Sequence, residues 1–170
     1  MTTGVVFLCT GNAARSVMAG AALEAHLPAW SVTTAGTLVV EGQPMSWRTR
    51  AALDGVGLSA PAHRSRQASR PHLEAAAVVI ALAPEHVHWV RRTHPEVANR
   101  TGTLRRLARD LPTGDAPLAD RVGRLDLASI TVEDWEEVVD PGGGDAEEFA
   151  ACARAIVDLV ATLATRLEPP

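Results

Sequence analysis

A cysteine and an arginine lie close together near the start of the chain, in residues 9–16, CTGNAARS. Small side chains between them let consecutive backbone N–H groups turn inward around an anion. Arg15 offers a planar fork of donors to two phosphate oxygens, and its charge favours thiolate over thiol at Cys9. Ser16 can donate its hydroxyl to that sulfur. Residues 9–16, called the phosphate loop below, are therefore interpreted as a phosphate-binding loop with a nucleophilic thiolate.

The predicted contacts to phosphate come mostly from the backbone of this loop. Asn12 is expected to adopt the left-handed conformation and to bridge parts of the loop with its side chain. The residues assigned to phosphate binding are Thr10, Gly11, Asn12, Ala13, Ala14 and Arg15.

The segments around the phosphate loop predict an alternation of strands and helices. Strands are expected at residues 4–8, 31–35 and 76–83, with a weaker one at 101–104, and helices at 16–27, 46–54 and 84–95. Alternating elements favour parallel pairing through right-handed crossovers, an α/β fold whose ligands lie at the carboxyl ends of the strands. Cys9 lies at such an end.

The last helix is predicted from an apolar stripe at three- and four-residue steps, from Phe149 through Cys152 to Leu167. Cys152 is therefore interpreted as a core residue. Residues 112–132, rich in Pro, Gly and Asp, are interpreted as a surface excursion. The arginines at 64, 66, 91 and 92 are interpreted as solvated surface residues.

Length and composition favour one domain over residues 1–170, with 46% hydrophobic residues to form its core. The formal charge of −4 and the dispersed basic residues argue against nucleic acid as a partner. Two cysteines and six histidines without ligand spacing imply no metal, and no other cofactor is expected. Without a signal peptide or a long apolar run, we expect a cytoplasmic protein that binds no membrane. A monomer is the expected oligomeric state.

Several motifs together resemble the low-molecular-weight protein tyrosine phosphatase family. The stretch VVFLCTGNAARS is similar to the family's Cys-x5-Arg-Ser loop after the first strand. Residues 34–37, TAGT, resemble its Ser-Ala-Gly-Thr segment, and residues 63–66, HRSR, resemble its His-x-Ser/Ala-Arg stretch. Asp140 and Pro141 resemble the Asp-Pro of the family's general acid. These motifs keep the family's order along the chain.

The resemblance implies a three-layer α/β fold with a central four-stranded parallel sheet and helices on both faces. It implies a protein phosphatase that works through a phosphocysteine, with Cys9, Arg15, Ser16 and Asp140 as catalytic residues. Asn12, Thr34 and His63 would form a supporting network beneath the loop. The implied partners are phosphorylated protein side chains, with inorganic phosphate or other oxyanions as product or inhibitor. Asp140 competes for its role with other aspartates, at positions 110, 115, 120, 126 and 134.

Some positions depart from the family's commonest pattern and leave the substrate open. Residues 142–144 are glycines where phosphotyrosine-specific members carry aromatic residues, and Ala13 replaces a bulky apolar residue. Trp47 or Trp135 could line the cleft instead, although core or helix-surface positions are favoured for both. Phosphotyrosine and phosphoarginine both remain candidate substrates.

Two other functions fit the same loop. A thiol-dependent arsenate reductase shares it, but such enzymes often relay through further cysteines and this chain offers only Cys152. A silent phospho-ligand-binding module is the other, but binding alone needs neither the thiol nor the acid.

Overall fold

The computed structural model describes residues 3–168 and contains a four-stranded sheet in which every pair is parallel. The strands are β1 (Gly4–Cys9), β2 (Ser31–Gly36), β3 (Val78–Ala81) and β4 (Thr101–Thr103), in the spatial order β2-β1-β3-β4. The predicted strand at 76–83 is shorter than expected, but it is fully buried and central with β1. The predicted fold class is confirmed.

Successive residues of β1 point to opposite faces of the sheet, and each face is covered by its own helices. Val5 and Phe7 belong to a large apolar cluster, whereas Val6 and Leu8 belong to a smaller one on the other side. The larger cluster includes residues of α1 (Arg15–His26), α2 (Trp47–Gly55), α5 (Leu104–Asp110) and α7 (Ala146–Leu167). The smaller one includes residues of α3 (Arg70–Glu74) and α4 (Pro84–Thr93). This is the predicted three-layer arrangement.

The last helix, α7, buries its apolar stripe as the sequence predicts, and its start is fixed by a cap. Asp145 accepts a hydrogen bond from the backbone of Glu148, whose carboxylate accepts one from the backbone of Asp145, a reciprocal cap that fixes the helix start. Phe149, Ile156 and Leu167 are buried in the larger cluster. Because this cap follows Asp140 by a few residues, it also anchors the segment that carries the predicted acid.

The interpretation of residues 112–132 as a surface excursion is wrong. The segment contains α6 (Leu118–Gly123), and both Val122 and Leu127 are buried. Arg121 is also buried and donates to four carbonyl oxygens, two of which belong to the last turn of α7. The segment is therefore packed against the core by a few apolar side chains and held there by the hydrogen bonds of Arg121.

Arg91 likewise is not a simple surface residue. Its guanidinium donates to the carbonyl oxygens of Leu127 and Ile130 at 2.7 and 2.8 Å. It therefore links α4 to the segment that follows α6. Among the residues that the structure describes, none of the helices combines the length and the apolarity that a membrane crossing requires.

Candidate active site

The phosphate loop connects the carboxyl end of β1 to the start of α1. Cys9 and Arg15 line a cavity of about 290 Å³ together with Gly11, Ala13 and Ala14. Ala14, at the N-cap of α1, has no side-chain acceptor, so the first amides of the helix remain available to an anion. The loop thus offers backbone donors and a thiol to the same space.

Ser16 contacts the thiol directly and is itself oriented by Asn12. The distance between Cys9 Sγ and Ser16 Oγ is 2.9 Å. Asn12 Nδ2 donates to Ser16 Oγ at 2.8 Å, which leaves the hydroxyl proton free to point at the sulfur. This geometry suits a serine that stabilises a sulfur anion, both before attack and when sulfur leaves a phosphocysteine.

Asn12 holds the loop from inside. It is fully buried and adopts a positive φ of 52°, the left-handed conformation expected from the sequence. Its Nδ2 also donates to Thr34 Oγ1 at 3.0 Å, and its Oδ1 accepts from the backbone N–H of Arg66 at 2.9 Å. One side chain therefore joins the loop to β2 and to the segment after α2.

The carbonyl oxygen of Asn12 receives two further hydrogen bonds. His63 Nε2 and Ser65 Oγ both lie 2.8 Å from it. Burial lowers the pKa of His63, against the opposing effect of this hydrogen bond. The structure thus brings together Asn12, Thr34 and His63, and adds Ser65, which the sequence analysis did not single out.

Two glycines allow the supporting elements to approach this closely. A Cβ at Gly36 would collide with the carbonyl oxygen of Thr10, so the end of β2 can lie directly under the loop only without a side chain. A Cβ at Gly20 on α1 would come within 2.5 Å of Thr34 Cγ2. Glycine at position 20 and threonine at position 34 are therefore matched in volume.

Arg15 is buried and is held from several sides. Its Nη1 donates to the carbonyl oxygen of Val138 at 3.0 Å. Its Nη2 lies 3.5 Å from Asp140 Oδ2 and 3.5 Å from Thr10 Oγ1. The guanidinium therefore connects the phosphate loop to residues 138–144, called the acid segment below.

Asp140 faces the same cavity as Cys9 and keeps contact with water. Its side chain is 56% exposed, and its Oδ1 accepts a hydrogen bond from the backbone N–H of Gly142 at 2.9 Å. The acid segment is attached to the sheet where Val138 N donates to Leu82 O at 2.8 Å. Asp110, by contrast, pairs with Arg106 and Arg109. Of the aspartates considered from sequence, only Asp140 forms an ion pair with Arg15 within residues 3–168.

Two polar side chains that the sequence analysis missed, those of His86 and Glu85, also lie next to the phosphate loop. His86 Nε2 is 2.9 Å from Thr10 Oγ1, and Glu85 Oε1 lies 3.4 Å from the same hydroxyl and 3.9 Å from Arg15 Nη2. Burial, reinforced by the positive charge of Arg15, lowers the pKa of His86 to about 3. His86 is therefore neutral at physiological pH. Both residues follow β3, whose carboxyl end adjoins that of β1, and this adjacency was the available signal.

Cys152 is a core residue, as predicted, but it is not remote from the site. Its Sγ lies 3.9 Å from the carbonyl oxygen of Val139, the residue before Asp140. Burial raises the pKa of Cys152 to about 11. It is therefore a neutral thiol at physiological pH, which disfavours its use as a relay thiolate.

Neither tryptophan considered from sequence lines the cavity that contains Cys9. Trp47 stacks with Arg48, and Trp135 lies under Arg109 with 4.0 Å between guanidinium carbon and ring centroid. The aromatic residue that does line the cavity is Phe149, at the start of α7. Residues 3–168 contain no cluster of three or more side chains suited to a metal ion.

Comparison with known proteins gives consistent matches. The sequence model of the low molecular weight phosphotyrosine protein phosphatases matches residues 4–123. A protein-arginine-phosphatase of Geobacillus stearothermophilus is 30% identical over 165 residues, which are 96% of this chain and 95% of the relative.

Solved structures match over nearly the whole chain. The YwlE arginine phosphatase from Geobacillus stearothermophilus matches with a TM-score of 0.78 and 29% identity. The match covers 97% of this chain and 92% of the chain of that structure. The tyrosine phosphatase Wzb from Escherichia coli K30, in complex with sulphate, matches with a TM-score of 0.78 at 17% identity. The match covers 99% of this chain and 100% of the chain of that structure. At that identity the second match supports the fold alone.

Proposed function

Because the chain belongs to the low-molecular-weight phosphotyrosine protein phosphatase family, we propose that Cys9 is the nucleophile of a two-step hydrolysis of phosphorylated protein side chains. The observation that carries the proposal is that Cys9, Arg15 and Asp140 line one cavity, with the Ser16 hydroxyl 2.9 Å from the sulfur. The whole activity is assigned to one domain that needs no metal or other cofactor.

In the first step the Cys9 thiolate attacks phosphorus, and the bond from phosphorus to the leaving atom breaks. Asp140 gives its proton to that leaving atom. Loop amides from Thr10 to Arg15 and the guanidinium of Arg15 stabilise the charge on the equatorial oxygens, an effect worth several kcal/mol in comparable sites. Arg15 is able to do so because its Nη1 is already fixed on the Val138 carbonyl.

In the second step Asp140, now a carboxylate, takes a proton from water as the water attacks phosphorus. The bond between sulfur and phosphorus breaks, inorganic phosphate leaves, and Cys9 returns as a thiolate. Ser16 donates its hydroxyl to that departing sulfur, while Asn12, Thr34 and His63 hold the loop and do not react.

The proposed side chain is phosphoarginine ahead of phosphotyrosine. Support comes from the similarity to a protein-arginine-phosphatase over 96% of the chain. Ala13 and residues 142–144 leave the cavity opening without the aromatic side chains that would hold a phenyl ring. We further place the protein in the cytoplasm as a monomer that binds oxyanions but neither nucleic acid nor membrane.

Hydrolysis of para-nitrophenyl phosphate by wild type, Cys9→Ser and Asp140→Asn tests the assignment. Wild-type turnover that is abolished in Cys9→Ser and strongly reduced in Asp140→Asn supports it. Phosphate binding without turnover would favour a silent binding module, and thiol consumption that depends on arsenate would favour a reductase. Peptides carrying phosphoarginine or phosphotyrosine in one sequence then compare the two substrates directly.

A further inference from the structure

Glu85 has no part in the reaction derived above, yet its carboxylate lies beside the reacting groups. Its Oε1 is 3.4 Å from Thr10 Oγ1 and 3.9 Å from Arg15 Nη2. Asp140 reaches the same Nη2 atom at 3.5 Å. The one buried guanidinium of the site therefore has two carboxylates next to it at the opening, and the chemistry uses only one.

The position of Glu85 is set by the fold. Pro84 begins α4 directly after β3, and Glu85 follows in the first turn, where an acidic side chain is favoured by the helix dipole. His86, the next residue, is buried against Thr10 and remains neutral. The anchor at His86 therefore keeps the Glu85 carboxylate at the rim of the phosphate loop while 67% of the side chain stays exposed.

A second carboxylate at this place is unfavourable for the phosphate group alone. The bound phosphoryl group carries negative charge, and like charges a few ångströms apart repel one another even where water is present. A phosphotyrosine phenyl ring brings no positive charge to offset this repulsion. A phosphoarginine side chain does, because its phosphoryl group is attached to a guanidinium.

The opening offers little to a phenyl ring in exchange. Phe149 lines the cavity but is buried, and the residue beside Asp140 at the opening is Gly142, which has no side chain. Trp135 is stacked against Arg109 instead. The negative charge of Glu85 favours a leaving group that is a cation. The lack of an aromatic side chain beside Asp140 removes the contact that a phenyl ring would need.

We propose that Glu85 is a specificity-determining residue that accepts hydrogen bonds from the guanidinium of phosphoarginine, while Asp140 acts on the bridging nitrogen. This inference rests on the phosphatase function proposed above and assigns its preference for leaving groups to a named side chain. Glu85 does not transfer a proton in either step.

The test compares Glu85→Gln and Glu85→Ala with wild type on phosphoarginine and phosphotyrosine peptides of one sequence. Glu85→Gln keeps an acceptor and removes the charge, and Glu85→Ala removes both. The matched control is Glu147→Gln, an exposed carboxylate on α7 that pairs with Arg154. We expect kcat/KM for phosphoarginine to fall about fivefold in Glu85→Gln and further in Glu85→Ala. For phosphotyrosine it should stay constant or rise.

The dependence on salt gives a second readout, the ratio of kcat/KM for phosphoarginine to kcat/KM for phosphotyrosine. This ratio should fall as ionic strength rises in the wild type and should change less in Glu85→Gln. Equal loss on both substrates would overturn the proposal, because it would indicate that Glu85 only positions Thr10 or Arg15. No change on either substrate would also overturn it. Wild type that cleaves para-nitrophenyl phosphate but not phosphoarginine overturns this inference and leaves the phosphatase function standing.

Discussion

The phosphate loop and the acid segment face each other across one cavity but are built in opposite ways. Asn12 in the loop is fully buried and joins five neighbouring groups through its side chain and its carbonyl oxygen. Asp140 in the acid segment is more than half exposed, and a run of glycines follows it. The loop proposed to bind the phosphoryl group is therefore held by several hydrogen bonds, whereas the segment proposed to meet the leaving group is open to solvent. The two regions that line the cavity thus differ in how firmly their residues are held.

The largest effect at neutral pH should come from breaking the rigid region at Asn12. Asn12→Ala removes three side-chain hydrogen bonds. It also leaves, at a φ of 52°, an alanine that has no side-chain amide to stabilise this left-handed conformation. We expect the free energy of unfolding to fall by about 3 kcal/mol and kcat/KM to fall on the order of 100-fold.

Asn12→Gly separates the two causes, because glycine adopts the left-handed conformation freely. It should lose about 1 kcal/mol less than Asn12→Ala in chemical denaturation. Equal losses of unfolding free energy in the two variants would mean that the backbone conformation is unimportant. Small losses in both would contradict the description of the phosphate loop as rigid.

A second variant tests the volume match beneath the loop. In Gly20→Ala the new Cβ meets Thr34 Cγ2, so we expect a loss of about 1 to 3 kcal/mol in unfolding free energy. Adding Thr34→Ser removes that methyl and keeps the hydroxyl that accepts from Asn12, so the double variant should recover most of the loss. Additive losses in the double-mutant cycle would show that the two positions are not coupled.

His86 tests the rim of the loop through pH. Its pKa in the folded protein is about 3, below the ordinary value of 6.5, so between these values the unfolded chain takes up a proton that the native protein does not. Stability should therefore fall as pH decreases through this window, by up to about 1.4 kcal/mol per pH unit.

His86→Gln keeps a nitrogen near Thr10 and cannot titrate, so its unfolding free energy should decline less from pH 6.5 toward pH 3. The unfolding free energies of the wild type and the variant are measured by denaturant unfolding across this pH range. At pH 7.5, the reference, the two proteins should differ only in packing. Parallel declines in the variant and wild type would contradict a buried neutral histidine.

The smallest effect is expected in the open region. Gly142→Phe adds a ring beside Asp140, and its Cβ would lie 3.1 Å from an exposed carboxylate oxygen that can shift. Unfolding free energy should change by less than about 0.5 kcal/mol, while KM for a phosphotyrosine peptide falls about fivefold through stacking. Gly142→Ala supplies the Cβ without the ring and should leave KM unchanged. If both variants behave alike, the leaving-group side is not open as described.

The same contrast explains what the sequence could predict. Cys9, Arg15 and Ser16 all lie within residues 9–16, so their spacing at a strand-to-helix junction predicts the chemistry from the local sequence. His86 and Glu85 were missed because their contact with Thr10 exists only once β1 and β3 pair in parallel. Residues 112–132 were misinterpreted because buried side chains are few there, and Arg121 resembles a surface residue until its four carbonyl acceptors are seen.

The buried thiol behind the acid segment has a consequence for how this enzyme withstands peroxide. An oxidised Cys9 would need a nearby thiolate to form a protective disulfide, but Ala14 supplies no sulfur and Cys152 stays protonated. Excess peroxide should therefore drive Cys9 to the sulfinic acid, and dithiothreitol added afterwards should restore little activity. Inactivation by oxidants would then be a permanent loss, made good only by new synthesis of the protein.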